Sequence, residues 1–386
     1  MYGGKKLSEP HGGKLVNRIL EESQLEKVTA EIKELHKIIV PDDTVNDVWN
    51  IATGAFSPLE GFLEHEDYRT VLYGRRLRNG VPWTIPITLN VSKRDISDTK
   101  EGDTVILVDK TKQPLASLNI SDIFSFDKEE MAKQVYGTKD KAHPGVVKTF
   151  RMKELLLGGK IDLINEPPNP FEKYRLKPIE TRRMFKEKGW KTIVGFQTRN
   201  IPHLGHEYIQ KTALSFVDGL FIQPILGKKK KGDFKDDVII AAYQALIDNY
   251  HSKDRVILGI LQHEMCYAGP REAVFHAIIR KNFGCTHFII GRDHAGVGDF
   301  YSPYAAQQIF EEFPDLGVTT LTFPSVFFCT RCNGMANEKI CPHSVECCLK
   351  ISGTKIREAI NKGEALTDLI RPEVAEVVKS WETPFV

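Results

Sequence analysis

The stretch TIVGFQTRNIPHLGHEYIQKTA, residues 192–213, joins an apolar run to an amphipathic helical pattern. This junction of strand and helix recurs along the chain, with further apolar runs at 219–225, 255–261, 287–291 and 318–328. The helical patterns between them lie at 205–217, 236–250, 270–284 and 302–313. Alternating strands and helices predict a parallel sheet with helices on both faces.

Polar side chains crowd the end of the first apolar run, at Gln197, Thr198, Arg199, Asn200, His203 and His206. In open parallel sheets, ligands bind beyond the carboxyl ends of the strands, where helix N-termini also point. A helix N-terminus offers free N–H groups and a positive dipole end, which suit phosphate. Surface histidines that cap a helix are the alternative, but the whole cluster after a buried strand favours a functional site.

A second cluster has the same context, because HFIIGRDHAGVGDF, residues 287–300, also begins with an apolar run. The run is followed by Gly291, Arg292, Asp293, His294 and Ala295. Two clusters rich in arginine and histidine at strand ends predict an anionic ligand between them, although salt-bridged loop residues are an alternative. Histidines spaced HxGH on a parallel sheet indicate nucleotidyl transfer, in which imidazoles brace the phosphates of ATP.

The bulk composition is that of an ordinary globular protein. Of 386 residues, 41% are hydrophobic and 27% are charged, and the net charge is +2. This balance gives no electrostatic case for binding nucleic acid or a membrane. No apolar run reaches the about 18 residues of a transmembrane helix, and the N-terminus lacks the apolar segment of a signal peptide. Seven cysteines, clustered late, indicate reduced thiols or metal ligands, so we expect a cytoplasmic protein.

The first part of the chain has a different pattern of predicted strands and helices. Strand patterns at 80–92 and 101–110 and an amphipathic helical pattern at 25–39 indicate an α+β domain with a small barrel-like sheet. Three prolines within residues 165–171 predict a linker to the strand–helix region. The sequence therefore predicts a multi-domain α/β protein, with domains over residues 1–168, 169–325 and 326–386.

The chain resembles the ATP sulfurylase (sulfate adenylyltransferase) family in two specific motifs. GFQTRNIPHLGHE is similar to the family signature QTRNPxHxxHE with Ile201 inserted, and GRDHAG is similar to its second signature. The resemblance extends over nearly the whole chain, through the segments at 10–18, 54–63 and 266–288. The resemblance is to the family members that lack a fused kinase-like domain.

The resemblance implies a fold and an activity. The expected fold is an N-terminal PUA-like α+β barrel domain, a central Rossmann-like parallel sheet of the HxGH nucleotidyltransferase type, and a small zinc-bearing C-terminal α/β region. The expected reaction is attack of sulfate on the α-phosphorus of MgATP, which gives adenosine 5′-phosphosulfate and pyrophosphate, and the same site serves the reverse reaction. A homodimer is also expected.

The resemblance also implies roles for the clustered residues. Sulfate would be held by Gln197, Arg199 and the backbone N–H of Ala295, and Arg199 suits it because a guanidinium offers two parallel donors. ATP would contact the residues of both clusters, namely Gln197, Thr198, Arg199, Asn200, His203, His206, Gly291, Arg292, Asp293 and His294, with Val326 lining the adenine. The expected catalytic residues are Thr198, Arg199, Asn200, His203 and His206. Mg²⁺ would bridge the β and γ phosphates.

A cysteine motif lies further along, in CTRCNGMANEKICPH, residues 329–343. Cys329 and Cys332 in a CxxC pattern, followed by Cys341 and a histidine, predict a tetrahedral zinc site. His343 is the best candidate for the fourth ligand and Cys347 is the runner-up; three reduced thiols in a small core are the alternative. We predict the other cysteines to be buried thiols, at Cys266, Cys285 and Cys348.

Two further stretches carry open alternatives. GKKKKGDF, residues 227–234, lies where the family has a GxxKxGD loop, so one of the lysines 228–231 would face phosphate unless the run is a solvated loop. ISGTKIREAI, residues 351–360, begins a helix with Ser352 and Thr354 as capping candidates. A plain helix cap is the preferred interpretation there, and phosphate contact by Arg357 is the alternative.

Two other functions remain as alternatives to the family's activity. The first is a different HxGH nucleotidyltransferase, acting on a phosphorylated acceptor. The second is a non-catalytic RNA-binding protein built on the N-terminal barrel, which the near-neutral charge disfavours.

Overall fold

The computed structural model describes residues 7–386, apart from the side chains of Lys27 and Thr29. Within this range the α-helices are α1 (Glu22–Glu31), α2 (Asp42–Ala52), α3 (His65–Gly74), α4 (Lys128–Tyr136), α5 (Pro144–Arg151), α6 (Pro178–Glu187), α7 (Leu204–Leu214), α8 (Asp236–Tyr250), α9 (Pro270–Asn282), α10 (Ala305–Gln308), α11 (Gly353–Lys362) and α12 (Pro372–Lys379). None of the helices in residues 7–386 has the length and apolar character needed to cross a membrane.

The strands of residues 7–386 form three sheets. They are β1 (Lys37–Ile39), β2 (Gly61–Phe62), β3 (Leu89–Val91), β4 (Thr104–Val108), β5 (Pro114–Ser125), β6 (Leu155–Leu163), β7 (Ile193–Thr198), β8 (Gly219–Leu226), β9 (Val256–Leu258), β10 (Leu261–Gln262), β11 (His287–Ile290), β12 (Thr319–Thr322), β13 (Val326–Cys329), β14 (Gly334–Asn337) and β15 (Cys348–Lys350).

The N-terminal sheet has the order β1-β4-β5-β6-β2, with β3 paired to β6. Only the β1–β4 pairing is parallel among these neighbours. Two predictions for this region were partly wrong. The strand expected at 80–92 shrinks to β3, because Pro82 and Pro86 cannot donate to a ladder. The helix expected at 25–39 ends at Glu31, and the β-branched pair Ile38–Ile39 instead joins β1.

The central sheet confirms the predicted strand–helix alternation. Its order is β10-β8-β7-β11-β12, β9 also pairs with β8, and every pairing is parallel. β8 is buried along its whole length, as expected of a strand covered on both faces. β7 and β11 are neighbours, with Val194 beside His287, so their carboxyl ends open onto the same edge of the sheet.

Two predicted apolar runs each divide into separate strands. The run at 255–261 breaks between β9 and β10 at Gly259, where an added Cβ would lie 2.9 Å from the Phe221 ring. The run at 318–328 breaks at Pro324, which lacks a backbone donor. After this proline the chain leaves the central sheet, and β13 forms an antiparallel sheet with β14 and β15.

The C-terminal helices return to the central sheet. Ile356, Ile370 and Val374 are buried in the same apolar core as Val194 of β7 and Tyr243 of α8. The three-stranded sheet instead has a small core of its own, built around Phe327 and Cys329. The domain boundary at residue 326 stays a prediction, and the apolar packing of residues 356–378 runs across it.

The N-terminal domain and the central sheet are held together by α9. Arg271 is buried and donates to carbonyls of the N-terminal domain, at Val71, Leu72, Thr84 and Gln134. Phe275, one turn further along α9, packs within 5.4 Å of Trp83 and 5.2 Å of Phe56, measured between ring centroids. Since a buried guanidinium needs all of its donors satisfied, these carbonyls fix the position of α9.

Candidate active site

The turn between β7 and α7, residues 199–203, lies at the carboxyl end of a buried strand, as predicted. His203 is the N-cap of α7, and its Nδ1 accepts a hydrogen bond from the His206 N–H at 3.1 Å. The two imidazoles are stacked, with ring centroids 3.6 Å apart and planes 19° apart. The Leu204 N–H donates to the Leu369 carbonyl at 3.0 Å, so the N-terminus of α7 is largely satisfied within the protein.

Both imidazoles are neutral at physiological pH. Burial, followed by the neighbouring His206, holds the pKa of His203 well below its usual range. Burial lowers the pKa of His206 to about 4. A neutral ring carries a single N–H, so any contact of the pair with an anion would be a hydrogen bond and not an ion pair.

Gly205 lets these rings pack against the cysteine-bearing sheet. A Cβ at this position would lie 3.1 Å from the His203 ring and 3.2 Å from Val326 Cγ2. Val326, predicted to line adenine, thus lies at the start of β13 beside the histidine turn. The close approach explains why position 205, directly before His206, has no side chain.

Arg199 is held by an aromatic residue that the sequence did not single out. Its guanidinium carbon lies 4.8 Å from the centroid of the Tyr267 ring, and its Nη1 donates to the Tyr267 hydroxyl at 2.5 Å. Gln197 lies on the same side, with its Nε2 3.9 Å from the sulfur of Met265. Tyr267 has a positive φ of 59°, which fixes an unusual backbone turn under the arginine.

Asn200 joins the turn to the C-terminal helix α11. Its Oδ1 accepts a hydrogen bond from Arg357 Nη1 at 3.1 Å, and its N–H donates to Thr198 Oγ1 at 3.2 Å. Ser352 caps α11 by accepting from the Lys355 N–H, as the preferred interpretation required. The alternative, phosphate contact by Arg357, stays a prediction; its guanidinium reaches Asn200 of the candidate site.

The loop after β11, residues 291–296, adopts a tight turn next to the first one. Asp293 and Ala295 both have positive φ angles, of 54° and 56°. The Ala295 carbonyl accepts from the Gly269 N–H at 3.1 Å, which ties the loop to the N-terminus of α9. Of the predicted ATP ligands in this loop, Arg292 and Asp293 are exposed and Gly291 is half-buried.

His294 points partly away from the place where ATP was expected. Its Nε2 is 3.0 Å from Nδ1 of the fully buried His276, and its ring packs on Phe288. Burial lowers the pKa of His294 to about 3. One ring nitrogen is therefore engaged within the protein, which leaves only Nδ1 for a ligand.

A cleft of about 310 Å³ lies between the lysine loop, residues 227–234, and α11. Lys230, Lys231 and Arg357 line it. Lys229 is instead paired with Asp236, at 2.8 Å between Nζ and Oδ1. Asp233 and Glu358 also line the cleft, so its positive charge is only partly uncompensated, and Arg357 links it to Asn200.

The helix α7 is anchored by an ion pair with a residue that lies much later in the chain. Glu207 is buried, and both of its carboxylate oxygens accept from Arg371, at 2.7 and 2.8 Å. Arg371 is the N-cap of α12. A bidentate pair of this kind fixes orientation as well as distance, so α7 cannot rotate without breaking it.

The cysteine motif forms a compact cluster on the three-stranded sheet. The ligand atoms of Cys329, Cys332, Cys341 and His343 all lie within 4.8 Å of one another. His343 Nδ1 lies 3.4, 3.3 and 3.7 Å from the three sulfurs in that order. Tetrahedral zinc–thiolate bonds place neighbouring sulfurs about 3.8 Å apart, so the donor set and its spacing fit zinc.

The remaining cysteines differ from the prediction in part. Cys285 is buried, as expected, but Cys266 and Cys348 are only half-buried. Cys347, the runner-up zinc ligand, has its sulfur 4.0 Å from Ser344 Oγ and is outside the cluster of four ligand atoms.

The central sheet and its clustered imidazoles define an α/β nucleotidyltransferase-type protein with a PUA-like N-terminal domain. The ATP-sulfurylase family matches residues 172–381, and the PUA-like domain family matches residues 8–166. The chain is 54% identical over 381 residues to the sulfate adenylyltransferase of Pyrococcus abyssi and 56% identical over 382 residues to that of Staphylothermus marinus. Each comparison covers 98% of this chain and 100% of the relative. The chain belongs to the ATP-sulfurylase family.

A solved structure agrees at the level of fold. The hexameric APS kinase from Thiobacillus denitrificans has a TM-score of 0.77 and 24% identity, covering 98% of this chain and 69% of that one. The predicted family resemblance is confirmed, and the RNA-binding alternative loses its support. The assignment of individual residues to sulfate and ATP stays a prediction.

Proposed function

We propose that this chain is a sulfate adenylyltransferase, which joins sulfate to the adenylyl group of ATP and releases pyrophosphate. The observation that carries this proposal is the convergence of Arg199 and the His203–His206 stack at one strand–helix turn. The close relatives with this name, matched over their whole length, support it. One chemical step is needed: a sulfate oxygen bonds to the α-phosphorus while the bond from that phosphorus to the pyrophosphate oxygen breaks.

Arg199 is the proposed seat for sulfate. Sulfate is a dianion at neutral pH, so it needs no base, and it needs cationic donors that hold one oxygen toward the α-phosphorus. The Tyr267 ring and hydroxyl hold the guanidinium in one orientation before sulfate arrives. Gln197 and the Ala295 N–H are the proposed additional donors on this side.

The imidazoles and α11 would act on the phosphates. As bonds exchange at the α-phosphorus, negative charge moves toward the departing pyrophosphate, and prepositioned N–H donors stabilise it. His203 and His206 supply neutral donors, and Thr198 and Asn200 would orient oxygens nearby. Lys230, Lys231 and Arg357, which line the neighbouring cleft, would contact the pyrophosphate. Mg²⁺ would enter with ATP and offset the charge of the β and γ phosphates.

Molybdate separates this proposal from a nucleotidyltransferase that uses a phosphorylated acceptor. Molybdate has the shape and charge of sulfate, and its adenylyl adduct is unstable in water. We expect MgATP plus molybdate to give continuous release of AMP and pyrophosphate, measured by coupled assay. Reactions without an oxyanion, and reactions with the Arg199→Ala variant, are the controls. Active, folded protein that releases no AMP with molybdate would contradict the proposal.

We also propose that the cysteine cluster binds a structural zinc ion through Cys329, Cys332, Cys341 and His343. Four protein ligands close the coordination sphere, which is typical of a structural site. The zinc would hold the three-stranded sheet against the histidine turn, because Val326 of β13 packs beside Gly205. The small core of this sheet is otherwise limited to a few side chains around Phe327.

Removing one ligand of the cysteine cluster should lower the zinc content by one equivalent per chain. We expect Cys332→Ser and His343→Ala to lose this metal and Cys347→Ala to retain it, by elemental analysis. In hydrogen exchange, the amides of β13–β15 should lose protection before those of β7 and β8, because metal binding is coupled to local folding. Equal zinc content in Cys332→Ser and the unaltered chain would defeat the assignment.

A further inference from the structure

A second cluster of metal-binding side chains lies between the two large domains. A cavity of about 100 Å³ opens there. The central domain contributes His263, Glu264 and Cys266 to its wall, and the N-terminal domain contributes Asp43, Asp47 and Lys148. None of these side chains takes part in the site described above.

Two of the wall residues, His263 and Cys266, form a cluster of three different ligand types with the neighbouring Glu272. A ring nitrogen of His263, the sulfur of Cys266 and a carboxylate oxygen of Glu272 all lie within 4.8 Å of one another. Glu272 is fully buried, and its oxygens accept from the N–H groups of Cys266 and Ala268, which fixes the carboxylate. The remaining lone pairs of the carboxylate are left for a cation.

The histidines of this region have the arrangement of metal ligands. His263 is 5% exposed, its Nδ1 lies 3.5 Å from Asp47 Oδ1, and its Nε2 is buried with no hydrogen-bond partner among the described residues. His276 is similar, because its Nδ1 is 3.0 Å from His294 while its buried Nε2 is unpartnered in residues 7–386. Metal-bound histidines typically use one nitrogen for the metal and the other for a carboxylate or another acceptor.

The local charge also favours a cation. Asp43, Asp47 and Glu264 line the cavity, Glu272 accepts from the backbone of its wall residue Cys266, and Lys148 is the cation among the wall residues. Lys148 is already paired with two of these carboxylates, at 2.7 Å from Asp43 and 2.6 Å from Glu264. Buried ring nitrogens without hydrogen-bond partners are destabilising, so a self-contained polar cluster would be an unfavourable arrangement.

We infer that His263, Cys266 and Glu272 bind a divalent cation of the zinc class. Sulfur, imidazole and carboxylate together are the donor set of Zn²⁺, whereas Mg²⁺ and Ca²⁺ prefer oxygen alone. His276 Nε2 lies 3.6 Å from Glu272 Oε1 and is placed to become the fourth ligand. On binding, the Cys266 thiol releases its proton to solvent and its thiolate bonds the metal.

The inferred metal would stabilise the segment that positions Arg199, the proposed sulfate-binding residue. Tyr267 directly follows Cys266 and holds Arg199. Asp47, which faces His263, belongs to α2 of the N-terminal domain. The metal would therefore join the two domains at the segment that positions the arginine. This inference does not rest on the proposed reaction.

Metal counting tests the inference. The chain is stripped with chelator, reloaded with Zn²⁺, freed of excess ion and analysed for zinc per chain. We expect Cys266→Ser and His263→Gln each to hold about one equivalent less than the unaltered chain. The matched control is Cys285→Ala, which removes a buried thiol of the same domain and should keep the full content. Equal zinc content in the unaltered chain and both ligand variants would overturn the inference.

X-ray absorption of the unaltered chain gives a result that needs no variant. The cysteine cluster alone would show about three sulfur ligands per zinc, whereas equal occupancy of both sites would lower the average to about two. A value of three at full zinc loading would also overturn the inference. Failure of sulfate-dependent pyrophosphate release would leave both metal readouts unchanged, so the two proposals fail separately.

Discussion

Replacing Arg199 with alanine should remove nearly all sulfate-dependent turnover. The guanidinium is the one cation of the β7–α7 turn, and it is fixed over the Tyr267 ring. Truncating one partner of a close charge pair costs about 2–5 kcal/mol, and about 1.4 kcal/mol is a factor of ten. We therefore expect kcat/KM for sulfate to fall by on the order of 10²–10³-fold, measured by pyrophosphate release at saturating MgATP.

Two conservative variants separate the effect of the Arg199 charge from the effect of its orientation. Arg199→Lys keeps the positive charge without the planar pair of donors, so it should recover only a small part of the activity. Tyr267→Phe keeps the ring and removes the hydroxyl that Arg199 contacts, so it should raise KM for sulfate more than it lowers kcat. An Arg199→Ala variant with unchanged sulfate affinity would show that sulfate is held elsewhere.

Replacing His206 with alanine should lower kcat by about 10²–10³-fold, the usual effect of removing one prepositioned donor to a transition state. ATP affinity should change far less, because the donor is needed most when charge moves toward pyrophosphate. His206→Asn, which keeps an N–H donor, should recover part of the rate. Single-turnover rates and equilibrium ATP binding, measured separately, distinguish these effects.

His206 is a cleaner test than His203. His203 also caps α7, and losing an N-cap costs about 1 kcal/mol of helix stability. The pKa of His206 is about 4, so the ring is already neutral above pH 5.5. If the neutral ring is active, kcat should not fall as pH rises through 6.5, as it would if an imidazolium were required. An unchanged kcat in His206→Ala, together with a large loss of ATP affinity, would overturn the proposed role of His206 in the transition state.

Local sequence patterns were sufficient to predict most strands and helices of the central domain. The apolar run at 192–196 and the helical pattern at 205–217 predicted the turn between β7 and α7, because apolar periodicity is decided by near neighbours. The errors occurred where one side chain changes the backbone. Pro324 ends the parallel sheet inside an apolar run, and Pro82 and Pro86 shorten a predicted strand to β3.

Contacts between distant parts of the chain could not be predicted in the same way. Tyr267 was overlooked because nothing in its own segment shows that it meets Arg199, 68 positions earlier. The inward orientation of His294 depends on His276 of α9, and the reach of Arg357 depends on Asn200. The residues next to a polar side chain in sequence do not determine its orientation at the end of a strand.

The ion pair between Glu207 and Arg371 has a consequence for synthesis on the ribosome. The N-terminal domain and the strands of the central sheet emerge first, and domains generally begin to fold as they emerge. The partner that fixes the histidine helix lies 164 residues downstream of Glu207. Until α12 has left the exit tunnel, Glu207 has Lys211 of the same helix as its ionic partner, and this pair does not tie α7 to the rest of the chain. The nascent chain therefore carries the reactive turn in a loose form, and translation of the last helix completes it.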